Sequence, residues 1–498
     1  MSMMQPQPTK QTATDVDPSQ MSEQATSVPD FLKLTTIPVN YSQNVETDLL
    51  EPVVFDDGTA GRSGFARWTL QNKGFLHSHS KLFIGLTPAT AMTDGGVPAN
   101  IGIGSVIKTA VFKIGNQVLN EISDWNNFHA IKSAGISNEN NKEREQFTTG
   151  RVINNGFRYT AGTSGVMNKD LADKYGLDNG REYDGQSGVL NLDQQPFSKM
   201  DGGSPAESPV YSVDLSDLFP FLKVNSLPLY MIDQVINIEI TWEQPNFHRG
   251  CVNGALAGGA LGTLFAIDRS ELKFCADYIF YSPESDAMER YASQNKDLSF
   301  SFVDYRLTRA TINPTAQVSL IRNIGMASRI VPRIITAFNN DNTSEQSILN
   351  KYASYGPSVN ASGVTGAVNY NVRYNDRYEF TTDVTNTARL FSQLTDSESV
   401  PFITRDQYAG QGGAGGLVTA DTYRAVAQNQ VKNGLISKFF FIGTRLTNGR
   451  VGQRGIEIHL DQFNPETANG VGPDTLRCWS EYLRMARLVD GNFEVYNA

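Results

Sequence analysis

His77 and His79 stand two apart in Leu76-His77-Ser78-His79-Ser80-Lys81-Leu82. On a strand, residues two apart share a face, and two imidazoles so placed would supply half of a metal site. No third or fourth ligand lies close in sequence, so polar positions on a solvated strand are the preferred reading. Asp233, Glu239 and Glu243 come nearest to the carboxylate pair of a glycosidase, whose two carboxyls must sit about 5–10 Å apart. Carboxylates on strands are common, and solvated or ion-paired roles suit these three better. Gly162-Thr163-Ser164-Gly165 misses the nucleophile-elbow pattern by one position, and the next histidine downstream is His248. Gly412-Gly413-Ala414-Gly415-Gly416 lacks the strand before and the helix after that a phosphate cradle would use. There is no Gly-x-x-x-x-Gly-Lys-Ser/Thr, no His-Glu-x-x-His and no Cys-x-x-Cys. The sequence therefore assigns no catalytic, cofactor-binding or metal-ligating residue, and the expectation is a protein that is not an enzyme and carries no cofactor.

Composition narrows the remaining classes. The chain has 498 residues, with 42 Lys and Arg against 52 Asp and Glu, a net charge of −10. Binding to phosphates needs clustered cations, so sequence-specific nucleic-acid recognition is not expected. Arg306, Arg309, Arg322, Arg329 and Arg333 form a loose basic set that could face nucleic acid or an anionic leaflet. Pairing with acids between subunits is preferred at this net charge. Cys251, Cys275 and Cys478 are three, scattered and odd in number, which argues against a disulfide framework or zinc cluster and for a reducing compartment. No stretch approaches the roughly 18 apolar residues of a membrane span. The opening MSMMQPQPTKQTAT lacks the apolar core of a secretory signal, so the Asn-x-Ser/Thr matches at Asn40, Asn342 and Asn360 read as chance.

The elements that would position any site are strands. Residues 1–30 contain no Phe, Trp or Tyr and cannot bury enough surface to offset their ordering entropy. They read as a flexible, slightly acidic arm. Beyond Phe31 the dominant period is two. Ala66, Trp68 and Leu70 alternate with polar residues. Ile236, Ile238, Ile240 and Trp242 do the same, Ala110, Phe112 and Ile114 alternate with Val111 and Lys113, and Leu272, Phe274, Ala276, Tyr278 and Phe280 form another row. The second half repeats the texture in Leu298, Phe300 and Phe302, in Tyr370, Val372 and Tyr374, and in Ile456, Ile458 and Leu460. Two short helices are predicted. One spans Asp124 to Ala134, with Ser123 or Asp124 as cap and Gly135 as terminator. The other spans Pro283 to Ser293, with acids at its N-terminal end. Long loops fall at 153–210, 243–270, 340–366 and 405–430. The apolar, glycine-rich run from Asn253-Gly254 to Ile267 reads as a loop tucked against its own sandwich or a neighbour. Periodicity alone gives two consecutive antiparallel sandwiches joined by a short helix.

Three segments, in order, add a resemblance. Val106–Leu119 contains a strand, Ile114-Gly115-Asn116, and a second strand. Leu227-Pro228-Leu229-Tyr230-Met231-Ile232 runs into Ile236-Asn237-Ile238. Ala276–Tyr281 precedes Glu289-Arg290-Tyr291-Ala292. Together they resemble the Ile-Gly-Gly hairpin, the Leu-Pro-Leu strand and the closing strand with Glu-Arg linker of major capsid proteins from nucleocytoplasmic large DNA viruses, virophages and polinton-like viruses. Asn116 replaces the usual second glycine, and Met231-Ile232 replace Ala-Leu. Asn tolerates the left-handed region, so the turn can persist.

The resemblance implies an all-β double jelly roll: two eight-stranded antiparallel sandwiches in tandem, with long loops and a short linker helix. It divides the chain into a flexible arm at 1–35, a first jelly roll at 36–282, a linker helix at 283–296 and a second jelly roll at 297–498. It further implies a structural protein of the virion. Homotrimers would form pseudo-hexagonal capsomers tiling an icosahedral shell around double-stranded DNA. Partners would be neighbouring capsomers, penton and minor capsid proteins, with an inner membrane left open. Synthesis would be in the host cytoplasm or nucleus. Two rivals from other classes are a carbohydrate- or receptor-binding viral fibre or spike, marked by exposed aromatic platforms, and a β-sandwich glycoside hydrolase.

Overall fold

The computed structural model describes residues 42–59, 62–88, 95–96, 101–134, 148–150, 210–223, 227–244, 252–253, 265–282, 297–313, 318–341, 352, 354–356, 369–385, 387–397, 440–447, 449–464 and 473–497. The arm at 1–35, the linker helix at 283–296, Cys251, Gly162–Gly165 and Gly412–Gly416 lie outside the described residues.

Alternation in the sequence becomes alternation in burial. Arg62–Leu70 sends Ala66, Trp68 and Leu70 inward, and Ile236–Trp242 sends Ile236, Ile238, Ile240 and Trp242 inward. Ile238 stands opposite Trp68 on one side and Phe112 on the other. Phe112 meets Phe219 edge-on at 5.4 Å between ring centroids. Each such side chain contributes about 1.5–3 kcal/mol by leaving water, and the opposing sheet supplies the cover.

Eight principal strands build the first half: β1 (Ser42–Leu50), β2 (Arg62–Leu70), β3 (Lys81–Pro88), β4 (Ile107–Ile114), β5 (Gln117–Ser123), β6 (Val210–Asp214), β7 (Ile236–Trp242) and β8 (Phe265–Ser282). One sheet runs β1-β8-β3-β6 and the other β2-β7-β4-β5, all antiparallel. The second half has β9 (Asp297–Thr311), β10 (Val318–Gly325), β11 (Arg333–Asn339), β12 (Asn369–Tyr374), β13 (Arg377–Tyr378), β14 (Phe441–Arg445), β15 (Ile456–Phe463) and β16 (Thr475–Val489). Its sheets run β9-β16-β11-β14 and β10-β15-β12-β13. Counted within each half, both orders are first-eighth-third-sixth and second-seventh-fourth-fifth. That order is the jelly roll, in which long crossovers place the first and last strands side by side. Every described strand pairing stays within one half. Short additions decorate this frame: Val54–Thr59 beside β2, Phe75–Leu76 with Leu227–Pro228, Gly95–Gly96 with Val252–Asn253, and Asn492–Asn497 folded back on β16.

Local details follow from residue type. The β4–β5 turn has Gly115 at φ 57°, a conformation that favours glycine. Asn116 is not a left-handed residue there, so its substitution for glycine is tolerated for a simpler reason than anticipated. In β8 three extra residues bulge out between Asp268 and Lys273. Gly85 faces this bulge, where a Cβ would come within 2.5 Å of the Glu271 Cβ. Helix α1 (Trp125–Ala134) lies where the sequence places it. Helix α2 (Leu215–Leu218) is a single turn. Helix α3 (Thr387–Ser397) was not apparent from the sequence. It buries Leu390 and Leu394 against β14, and Gly443 has no side chain to obstruct Leu394 and Ser397.

Candidate functional site: the seam between the sandwiches

The two halves meet where β5 and α1 of the first lie along β9 and β16 of the second. Ring packing carries part of the contact: Phe128 with Tyr305 at 4.6 Å and with Trp479 at 5.8 Å, and Phe221 with Phe302 at 5.7 Å. The rest is polar, and much of it is buried.

Asp124 is the residue between β5 and α1. Its φ of 51° bends the chain so that its carboxylate faces the second half instead of capping the helix. Arg477 of β16, 2% exposed, donates from Nε to Asp124 Oδ2 at 2.9 Å. Its Nη2 donates to both oxygens of Asp341 at 2.6 and 2.7 Å. Arg309 of β9 pairs with the other Asp124 oxygen. Burial alone would lower the Arg477 pKa, but Asp124 and Asp341 outweigh it and hold the guanidinium above its ordinary value.

A second cluster centres on Asp304 of β9. Its oxygens accept from Asn120 Nδ2 of β5, Tyr482 Oη, Arg484 Nη1 and the Tyr305 backbone N–H, each at 2.9 Å. Burial pushes the Asp304 carboxyl above its usual range, against the opposing pull of Arg484 and Tyr482. Tyr482 is itself pushed up to about 12, by burial and then by Asp304. Arg484 Nη1 also donates to Leu119 O at 3.1 Å, and Trp479 Nε1 to Ser123 O at 3.3 Å.

A third cluster surrounds Glu481, 1% exposed. Arg333 donates to it from Nε at 3.0 Å and Nη2 at 2.7 Å, and Lys132 of α1 lies 3.9 Å away. Arg333 Nη1 donates to Ser397 O at the end of α3. Beyond these clusters the C-terminal hairpin reaches back to the loop before β7. Asp233 N–H donates to Gly491 O at 2.9 Å and Phe493 N–H to Gln234 Oε1 at 3.1 Å.

The residues singled out by type are dispersed. His77 and His79 lie in a turn between Leu76 and Lys81, not on a strand. Their rings are 5.1 Å apart, and His77 Nδ1 accepts from the His79 backbone N–H. Among the described residues no group of three or more His, Cys, Asp or Glu is arranged to hold a metal. Glu239 pairs with Lys113, and Glu243 accepts from Asn126 at 3.2 Å with Lys108 at 3.7 Å. Asp233 faces Gly491. Four of the five arginines in the loose basic set have partners within the chain. Arg309 and Arg333 belong to the seam, Arg329 stacks 4.7 Å over Tyr482, and Arg322 donates to Arg309 O. Cys275 and Cys478 are unbridged. Sequence reading missed Asp124, Asp304, Arg477, Glu481 and Arg484. The available signal was the charge carried at Arg477, Glu481 and Arg484 among the large apolar residues of LRCWSEYLRMARLV.

Two jelly rolls of one topology, in tandem and locked face to flank, define the double jelly-roll fold. No protein-family model matches the sequence, and no curated protein is similar to it. Solved structures are. The mavirus major capsid protein has a TM-score of 0.53 at 10% identity, covering 100% of this chain and 96% of that one. The Sputnik virophage structure gives 0.53 at 10% identity, covering 93% and 90%. The PBCV-1 virus capsid model gives 0.51 at 12% identity, covering 93% and 99%. The fold is therefore shared over nearly the whole chain, at identities too low to trace residue roles.

Proposed function

We propose that this chain is a major capsid protein of a double-stranded DNA virus. It acts by assembly: three copies close into a pseudo-hexagonal capsomer, and capsomers tile an icosahedral shell in the virion. The observation that carries this reading is the tandem of two like sandwiches joined by a buried polar seam, a fold shared with the mavirus major capsid protein and the PBCV-1 virus capsid. A ring of six sandwiches leaves no open sequence of interfaces, and a chain carrying two of them needs three copies.

The seam fits this task. Buried ion pairs contribute little stability beyond what apolar residues of equal volume would. They do restrict geometry: Arg477 can span Asp124 and Asp341, and Asn120 can reach Asp304 while Arg484 reaches the Leu119 carbonyl, only at one relative setting of the halves. A tile must hold its angle, and this network holds it. On this reading the chain divides at 36–282 and 297–498 with a linker at 283–296, and the segment at 1–35 serves contacts with neighbouring capsomers, penton or minor proteins. The large exposed aromatics among the described residues, Tyr281, Tyr378 and Tyr496, lie on three different sheets and form no platform for a sugar.

Light scattering on the purified full chain tests the reading. A stable trimer at micromolar concentration is the expected result. A strict monomer there contradicts it.

A further inference from the structure

The seam has a counterpart on the outside of the molecule. Within the chain, β5, the fifth strand of the first jelly roll, covers the flank of β9, the first strand of the second. Asn120 Nδ2 donates to Asp304, and the Glu121 N–H lies 3.4 Å from the same carboxylate. The equivalent first strand of the first jelly roll, β1, pairs with β8 along its whole length and with no other described strand. Among the described residues no strand pairs with its second edge.

That edge lacks the usual guards. Sheets blunt an edge with Lys, Pro, a bulge or shortness. β1 is nine residues long, SQNVETDLL, and pairs without a register shift. Val45 is 48% exposed, Leu49 56% and nearby Val53 63%. Glu46 and Asp48 share the single Lys73 at 2.5 and 2.9 Å, which leaves one net negative charge on this edge.

Counting from the start of the third strand in each half aligns β1 with β9. Lys81 opens β3 opposite Cys275, which stands opposite Leu49. Arg333 opens β11 opposite Glu481, which stands opposite Tyr305. One step back along the first strand gives Asp48 in one half and Asp304 in the other. Asp304 is the residue that receives the fifth strand of the neighbouring sandwich. The fifth strand of the second jelly roll is β13, Arg377–Tyr378, at the rim of its sheet. Both residues are exposed, Tyr378 by 52%, and Arg377 offers a cation to a surface that carries Glu46, Asp48 and Glu51.

We infer that the β13 rim of a second copy covers the β1 edge of the first, repeating between chains the contact that β5 and β9 make within one. Tyr378 lies against Val45 and Leu49, and Arg377 faces the acids of β1. The contact is head-to-tail, since each copy contributes a different surface, and it closes when the sixth sandwich meets the first. This rests on the capsid reading for the existence of an assembly; it adds which surfaces meet.

The test uses full chains carrying Val45→Cys, Tyr378→Cys or both, with the parent chain setting the background from its native cysteines, and a short bismaleimide as cross-linker. A mixture of the two single variants should give covalent dimers. The double variant should give a ladder on denaturing gels that ends at three chains. Arg377→Glu should weaken self-association by at least about tenfold with thermal unfolding of the dissociated chain unchanged, since the residue is exposed. Cross-linking of the Val45→Cys variant to itself would show a two-fold contact and overturn the inference. So would a trimer by light scattering that yields no cross-link between the two positions, an outcome that leaves the capsid reading intact. A monomer by light scattering overturns both.

Discussion

Replacing Arg477 with Met removes the cation at the centre of the seam while keeping most of its length. Arg477 is 2% exposed and Asp124 4%. Removing one member of a buried pair typically costs about 3–5 kcal/mol, because the other charge stays buried without compensation. Two features place this case near the lower end. Arg309 still pairs with Asp124, and the Asp341 side chain is 33% exposed, so water takes up part of its charge. The expected loss is about 3 kcal/mol, or roughly 10 °C in midpoint for a domain of this size. The second variant is Asp124→Asn, and the double variant completes the cycle. The neutral amide no longer demands a cation, so the double variant should recover about 1–2 kcal/mol relative to the sum of the singles. Calorimetry is the assay. The parent should unfold in one transition, and Arg477→Met should separate it into two as the sandwiches lose their coupling. A loss below about 1 kcal/mol, or additivity within about 0.5 kcal/mol, would refute the argument that the seam is a coupled, buried network.

Three further outcomes follow from particular residues. Burial pushes the Cys478 thiol up to about 12 from an ordinary 9.0, so the folded chain keeps a proton that the unfolded chain releases. Stability is then unaffected below pH 9 and falls as pH rises above it, by about 3 kcal/mol at pH 11 from this group alone; denaturant titrations from pH 8 to 11 check it, with Cys478→Ala removing about one proton from the slope. Gly455 and Gly325 both have positive φ, 76° and 78°, but a Cβ on Gly455 would strike the Gly325 carbonyl while one on Gly325 has its nearest neighbour at 3.8 Å. Gly455→Ala should therefore cost about 3 kcal/mol and Gly325→Ala about 1 kcal/mol, read by thermal melts. Phe493 is 1% exposed and packs on Phe300, so Phe493→Ala should cost about 3–5 kcal/mol and raise amide exchange at Asp233, whose N–H bonds to Gly491.

Much of the frame was legible because two-sided sandwiches write their faces into the sequence. The rows through Trp68, Phe112 and Ile238 alternate, and they are the rows that meet in the core. Helix α1 could be placed because the sequence sets a polar pair before Trp125 and a glycine after Ala134. What stayed hidden depends on contacts remote in sequence. Asp124 looked like a helix cap, yet its carboxylate serves Arg477, which stands 353 positions later. The arginines at 306–333 looked like a surface set, yet two are consumed by Asp124 and Glu481. His77 and His79 looked like strand neighbours, but Ser80 folds back onto the His77 carbonyl at 3.1 Å and makes the segment a turn. Helix α3 escaped because Thr, Ser and Asp dilute its apolar stripe, and only Gly443 on the strand beneath explains its close seat. The jelly-roll order itself required pairings such as β1 with β8, which no local period encodes.

Electron microscopy of the purified full chain tests the central claim most directly. The account predicts three-fold particles with a pseudo-hexagonal outline and six upright sandwich densities in a closed ring. Isolated two-lobed monomers, two-fold dimers or open filaments would contradict it.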